Sequence, residues 1–105
     1  MLFSINSGLL EACVLALLSN EDSYGYKLTQ DVKDVMSISE STLYPVLKRL
    51  QSAGFLETYD MPIDGRNRKY YRITPEGKRQ QSLYCDEWKS YKELIEKIFK
   101  GAQCS

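Results

Sequence analysis

Two runs rich in aromatic and β-branched residues, 55–61 and 69–73, stand either side of an Asp64-Gly65 pair, and the sequence before and after them carries helical spacing. An Asp-Gly pair accepts the positive φ angles of a tight turn whose twist matches paired strands, so the two runs read as a β-hairpin. A hairpin between helices fixes the class: mainly α with a small β-hairpin, α+β.

The helices follow from apolar periodicity. Leu10, Cys13, Val14, Leu17 and Leu18 form one stripe of a first helix. Asp22 or Ser23 can cap a second, with Tyr24, Leu28, Val32 and Val35 on one face. Leu43, Val46, Leu47 and Leu50 mark a third, which stops at Gly54. If Ser39 caps that third helix, Pro45 lies beyond its first turn and removes the bond to Ser41. Thr74-Pro75 opens the last helix, with threonine at the cap and proline in the first helical position, although Gly77 weakens that turn. Further along, Tyr84, Trp88, Tyr91, Ile95 and Ile98 recur at spacings of four and three, and Leu94 and Phe99 widen the stripe into a heptad-like seam.

Helices, a hairpin and a long seamed helix make the plan of a winged helix-turn-helix over residues 1–73, followed by a dimerisation helix over 74–105. With 105 residues and no long linker, the chain has room for one compact body.

Net charge is zero, yet its distribution is uneven. Residues 66–80 hold Arg66, Arg68, Lys69, Arg72, Lys78 and Arg79 against Glu76, whereas 54–65 hold Glu57, Asp60 and Asp64. Local field governs attraction to a polyanion, so the cationic hairpin tip points to nucleic acid. The bland alternative is a merely solvated loop.

Other classes lose ground. The sequence has no histidine, no phosphate-binding glycine loop and no Cys-x-x-Cys pair, which argues against an enzyme, a zinc site or a cofactor. Cys13, Cys85 and Cys104 are odd in number and scattered, as expected of a reducing cytoplasm. The apolar stretch Leu9 to Leu18 contains Glu11, is too short to span a bilayer and follows no basic leader, so no membrane segment is expected.

Three segments then become specific: Tyr24-Gly25-Tyr26; Ser39-Glu40-Ser41-Thr42-Leu43-Tyr44-Pro45-Val46-Leu47-Lys48-Arg49-Leu50; and Gly65-Arg66-Asn67-Arg68-Lys69-Tyr70-Tyr71-Arg72-Ile73-Thr74. Together they resemble the PadR family of bacterial transcriptional regulators, over about Leu9 to Phe99. The single C-terminal helix is similar to the compact subgroup that includes multidrug-responsive repressors. The resemblance implies a cytoplasmic homodimer that binds double-stranded DNA at an inverted repeat, in most members as a repressor, and a recognition helix that tolerates Pro45.

Ser39, Ser41, Thr42, Tyr44 and Lys48 are then the expected recognition-helix contacts, since such helices enter the major groove by their N-terminal part. Helix capping is the other reading of the hydroxyls. Arg66, Asn67, Arg68, Lys69 and Tyr70 are the expected wing contacts, with Tyr71 in the core by alternation. Tyr24 either donates to a phosphate or buries its ring. Tyr84, Trp88, Tyr91, Leu94, Ile95, Ile98 and Phe99 are the expected dimer contacts.

Trp88 lies where the multidrug-binding relatives stack flat aromatic ligands, and Tyr91 flanks it at helical spacing, so a small aromatic effector that touches both is one reading of that stretch and plain packing the other. Lys92 stands where those relatives carry an acidic residue, which favours a neutral or anionic aromatic. The rival reading of the whole is a winged-helix protein-interaction module without DNA binding.

Overall fold

The structure, a computed structural model, describes residues 7–102. Cys104 and the first six residues lie outside that range. Helix α1 spans Ser7–Asn20, α2 Gly25–Lys33, α3 Glu40–Ser52 and α4 Pro75–Gly101. Strands β1 (Ser23–Tyr24), β2 (Leu56–Ile63) and β3 (Arg66–Ile73) form one antiparallel sheet in the order β1-β3-β2.

The core is a leucine cluster. Val14, Leu15 and Leu18 of α1 meet Leu28 of α2 and Leu43, Leu47 and Leu50 of α3, all essentially removed from solvent. Leu56, Tyr71 and Ile73 close it from the sheet. Each fully buried leucine contributes roughly 1.5–3 kcal/mol, so this cluster holds the three helices as one unit. Leu15 falls outside the expected stripe because α1 is apolar nearly all round and buries more than one face.

The hairpin is longer than its sequence signals. Pairing continues out to Ile63 and Arg66, leaving a two-residue loop in which Asp64 and Gly65 have φ of 51° and 75°. Both positive angles match the turn expected of Asp-Gly. Pro62 is accommodated because β2 is an edge strand, where a missing amide need not break a ladder.

Two expectations at α2 are revised. Neither Asp22 nor Ser23 caps α2: Ser23 and Tyr24 form β1, opposite Tyr71 and Tyr70, and Tyr24 takes the cap position with extended backbone and no side-chain cap bond. Val35 is exposed rather than inward, because α2 ends at Lys33 and Met36 turns into the core instead.

Gly77 also has a role that helix propensity hides. A Cβ there would lie 2.2 Å from the Phe55 carbonyl oxygen, so glycine permits α4 to seat directly on the start of the hairpin. Thr74 completes the junction: its hydroxyl donates to the Gly54 carbonyl at 2.7 Å and accepts from the Gly77 amide at 3.0 Å. This cap fixes the angle at which α4 leaves the domain. The molecule is 55 Å along its longest axis, and α4 alone is about 40 Å long.

Candidate nucleic-acid interface

Helices α2 and α3 make the helix-turn-helix, and α3 presents its N-terminal turn outward. Ser39, Ser41 and Thr42 are exposed there. Ser39 makes no side-chain cap bond; its hydroxyl lies 2.7 Å from that of Ser41 and 3.4 Å from that of Thr42. The hydroxyls therefore bond among themselves rather than to the amides of the first turn. Those amides sit at the positive end of the helix dipole, a favourable place for phosphate.

Pro45 lies within α3, on the exposed side. It leaves the Ser41 carbonyl without its helical bond, near a helix end that water or a ligand can reach. Lys48 is exposed one turn beyond Tyr44. Tyr44 lies across the start of α2. Its ring covers Gly25, where a Cβ would lie 2.5 Å from it. Partial burial, and then the neighbouring Glu40 carboxylate, push its phenol pKa up, although the side chain is 43% exposed.

The wing separates its side chains onto two faces. Tyr71 and Ile73 turn into the core, and Lys69 continues that face with its Nζ 5.6 Å from the Tyr71 ring centre. On the outer face Arg68 stacks over the Tyr24 ring at 4.6 Å. Tyr70 is half-buried, lying 5.3 Å from Tyr24 on one side and 5.6 Å from Tyr59 on the other. Arg72 is drawn to Glu57, its Nε 2.8 Å from the carboxylate. Arg66 and Asn67 are exposed at the tip. Among the described residues, none of Arg66, Arg68 and Lys69 has a carboxylate partner. A cation left unneutralised at a hairpin tip suits phosphate contact.

Tyr59 was not among the expected residues, and Asp22 was expected only as a cap of α2. The Tyr59 hydroxyl donates to Asp22 Oδ2 at 2.7 Å, and this bond raises the phenol pKa.

The seam of α4 divides. Tyr84 turns inward against the core and donates to Glu11, and Ile95 is half-buried. Trp88, Tyr91, Leu94, Ile98 and Phe99 are exposed. Trp88 and Tyr91 have ring centres 6.5 Å apart and tilted by 43°. They border an open groove of about 660 Å³ between α1 and α4, walled also by Leu9, Ala12 and Leu94. A second hollow of about 460 Å³ lies on the other side of Trp88, against Ala16, Met36 and Cys85.

Among the described residues no cluster of histidine, cysteine or carboxylate side chains could hold a metal ion. No described helix is long and apolar enough to cross a membrane.

Comparison with known proteins agrees with this geometry. Residues 14–82 match the model of the transcriptional regulator PadR-like family. A crystal structure of smu.1704 from Streptococcus mutans UA159 superposes with a TM-score of 0.91 at 44% identity, covering 96% of this chain and 95% of that one. The PadR-like transcriptional regulator BC4206 of Bacillus cereus gives 0.81 at 30% identity, covering 88% and 92%. The transcriptional regulator Rv3488 of Mycobacterium tuberculosis is 30% identical over 89 residues, 84% of this chain and 80% of that protein. The chain belongs to the PadR-like family of transcriptional regulators, DNA-binding proteins that catalyse no reaction.

Proposed function

We propose that this protein is a cytoplasmic repressor that binds an inverted-repeat operator as a two-fold homodimer and releases it when a small aromatic ligand occupies the dimer centre. In this reading Ser39, Ser41, Thr42, Tyr44 and Lys48 enter the major groove. Arg66, Asn67, Arg68 and Lys69 hold the adjacent backbone. Tyr24 and Tyr70 support the wing from below.

The observation that carries the dimer is the unpartnered apolar stripe of α4. Ile98 is 69% exposed, with Tyr91, Leu94 and Phe99 on the same stretch. Contiguous large apolar side chains of this kind mark an interaction surface. A second copy meets them with the identical stripe through two-fold symmetry, the commonest arrangement of soluble oligomers. Two linked modules then bind two half-sites with the advantage of high effective concentration.

The test joins mass to DNA affinity. Sedimentation should give a dimer, and gel shifts on the chain's own upstream region should show binding that weakens steeply with salt. Half-site spacing should fit one helical turn or a multiple of it, about 34 Å each. A dimer that binds no duplex at low salt would instead favour the protein-interaction reading.

A further inference from the structure

The outer face of the sheet carries one tyrosine from each strand, all in a single row. Tyr24 of β1 is paired with Tyr70 of β3, and Tyr70 with Tyr59 of β2. Their rings are in contact along the row, tilted at the first step and stacked at the second. Cations cover both ends: Arg68 lies over Tyr24, and Arg72 lies 5.1 Å over Tyr59. The two arginines differ in their freedom. Arg72 is neutralised by Glu57, whereas Arg68 has no carboxylate partner among the described residues. The far end of the row is pinned by the Tyr59 hydroxyl on Asp22, just before β1.

We propose that Asp22 and Tyr59 are positioning residues for the DNA contact of Arg68, acting through the tyrosine row. Guanidinium stacking on an aromatic face leaves the planar N–H fork pointing outward, ready for a phosphate. A free arginine on a hairpin tip must lose its rotamer freedom on binding. Arg68 has surrendered part of that freedom in advance, because the ring beneath it is itself fixed. Arg66, without such a support, is the internal control. The proposal rests on the DNA-binding reading of the wing and adds to it which residues set the geometry of that contact.

The experiment compares Tyr59→Leu, Tyr59→Phe and Arg68→Ala in the full-length protein, by operator affinity over a range of salt. Tyr59→Leu should weaken binding roughly 3- to 10-fold and flatten the salt slope as Arg68→Ala does. Tyr59→Phe keeps the ring but loses the bond to Asp22, so it should weaken binding measurably but less than Tyr59→Leu, and wild-type affinity in it would remove Asp22 from the role. Combined with Arg68→Ala, Tyr59→Leu should add almost nothing, whereas combined with Arg66→Ala its effect should add in full. In the DNA-free protein, the Arg68 Nε–H signal, which the Tyr24 ring beneath it shifts, should move toward its free-arginine position in Tyr59→Leu as that ring loosens, a readout independent of DNA. Full additivity with Arg68→Ala, or an unmoved Arg68 signal, would overturn the positioning role while leaving the DNA reading intact. Wild-type protein with no salt-dependent binding would overturn both.

Discussion

The Tyr84 hydroxyl donates a 3.1 Å hydrogen bond to Glu11 Oε2, tying helix α4 to helix α1. The other oxygen of the same carboxylate accepts from Arg49 Nε of α3. One side chain of α1, only 16% exposed, thus joins α3 to α4. Glu11→Gln should cost about 1–2 kcal/mol. The Arg49 side is half exposed and screened, while the Tyr84 side is partly buried and is left with a poorer acceptor. Urea unfolding measures this, and a midpoint equal to wild type would show the carboxylate to be a spectator.

The same bond gives a pH signature. Burial, and after it the bond to Glu11, raise the Tyr84 phenol above its ordinary 10.0. A folded value above the unfolded one contributes stability that is fully present below about pH 10. That stability is lost as pH rises through the folded value. The stability advantage of wild type over Tyr84→Phe should therefore be constant up to pH 9 and shrink above pH 10. An advantage independent of pH up to 11.5 would contradict the assignment.

Gly25 and Gly77 should respond differently to alanine although both sites are crowded. At Gly77 the obstacle is the Phe55 backbone carbonyl, which cannot move without shifting the hairpin. Gly77→Ala should cost roughly 1–3 kcal/mol by overpacking. At Gly25 the obstacle is the end of the Tyr44 side chain, which can swing aside. Gly25→Ala should leave global stability nearly unchanged but displace Tyr44 and weaken operator binding. Parallel thermal melts and gel shifts distinguish the two, and equal melting losses would refute the contrast.

How far the sequence carries the fold depends on whether a feature is local. The Asp64-Gly65 turn, the Thr74-Pro75 cap and the stripe of α3 are each written within a few neighbouring residues, and all three are where they were expected. The strand β1 was not legible, since two residues have no periodicity and form a strand only because β3 is there to pair. Val35 was misread because its face was extrapolated past a helix end that no glycine or proline marks. The role of Gly77 is invisible locally for the same reason, as it depends on Phe55, remote in sequence. Tyr59 was legible in principle. Counting outward from a two-residue turn pairs it with Tyr70, yet only the fold brings Asp22 and Tyr24 beside that pair.

The α4 stripe should fail as an interface when charged. Leu94→Glu with Ile98→Glu places like charges across a two-fold seam, yet both side chains are exposed in the single chain. The variant should therefore remain folded, sediment as a monomer and bind operator at least tenfold more weakly through lost linkage. An unchanged dimer mass would move the interface to another face.

The final prediction concerns Trp88, the single tryptophan of the chain. Its indole is 46% exposed, which is unusual for so large an apolar group unless something covers it. It forms a common wall of the two hollows beside α4, with Tyr91 tilted against it. A planar aromatic can stack on such a wall, and two symmetry-related indoles would cover both its faces. The groove is lined by the carboxylates Asp86 and Glu87 and not by Lys92, so a neutral or cationic compound suits it better than the anionic one that Lys92 suggested in the sequence. Binding can release DNA only if it favours one relative placement of the two wings over another, because equal affinity for both shifts nothing. The junction through Tyr84 and Glu11 is where a change in α4 would reach α3. Titration with planar neutral and cationic dyes should quench Trp88 emission saturably and weaken operator binding over the same concentration range, with anionic phenolic acids binding more weakly. Trp88→Ala should abolish the compound's effect on operator binding. If emission is already blue-shifted in the free dimer and no aromatic compound alters it, Trp88 is interface packing and the effector reading is wrong.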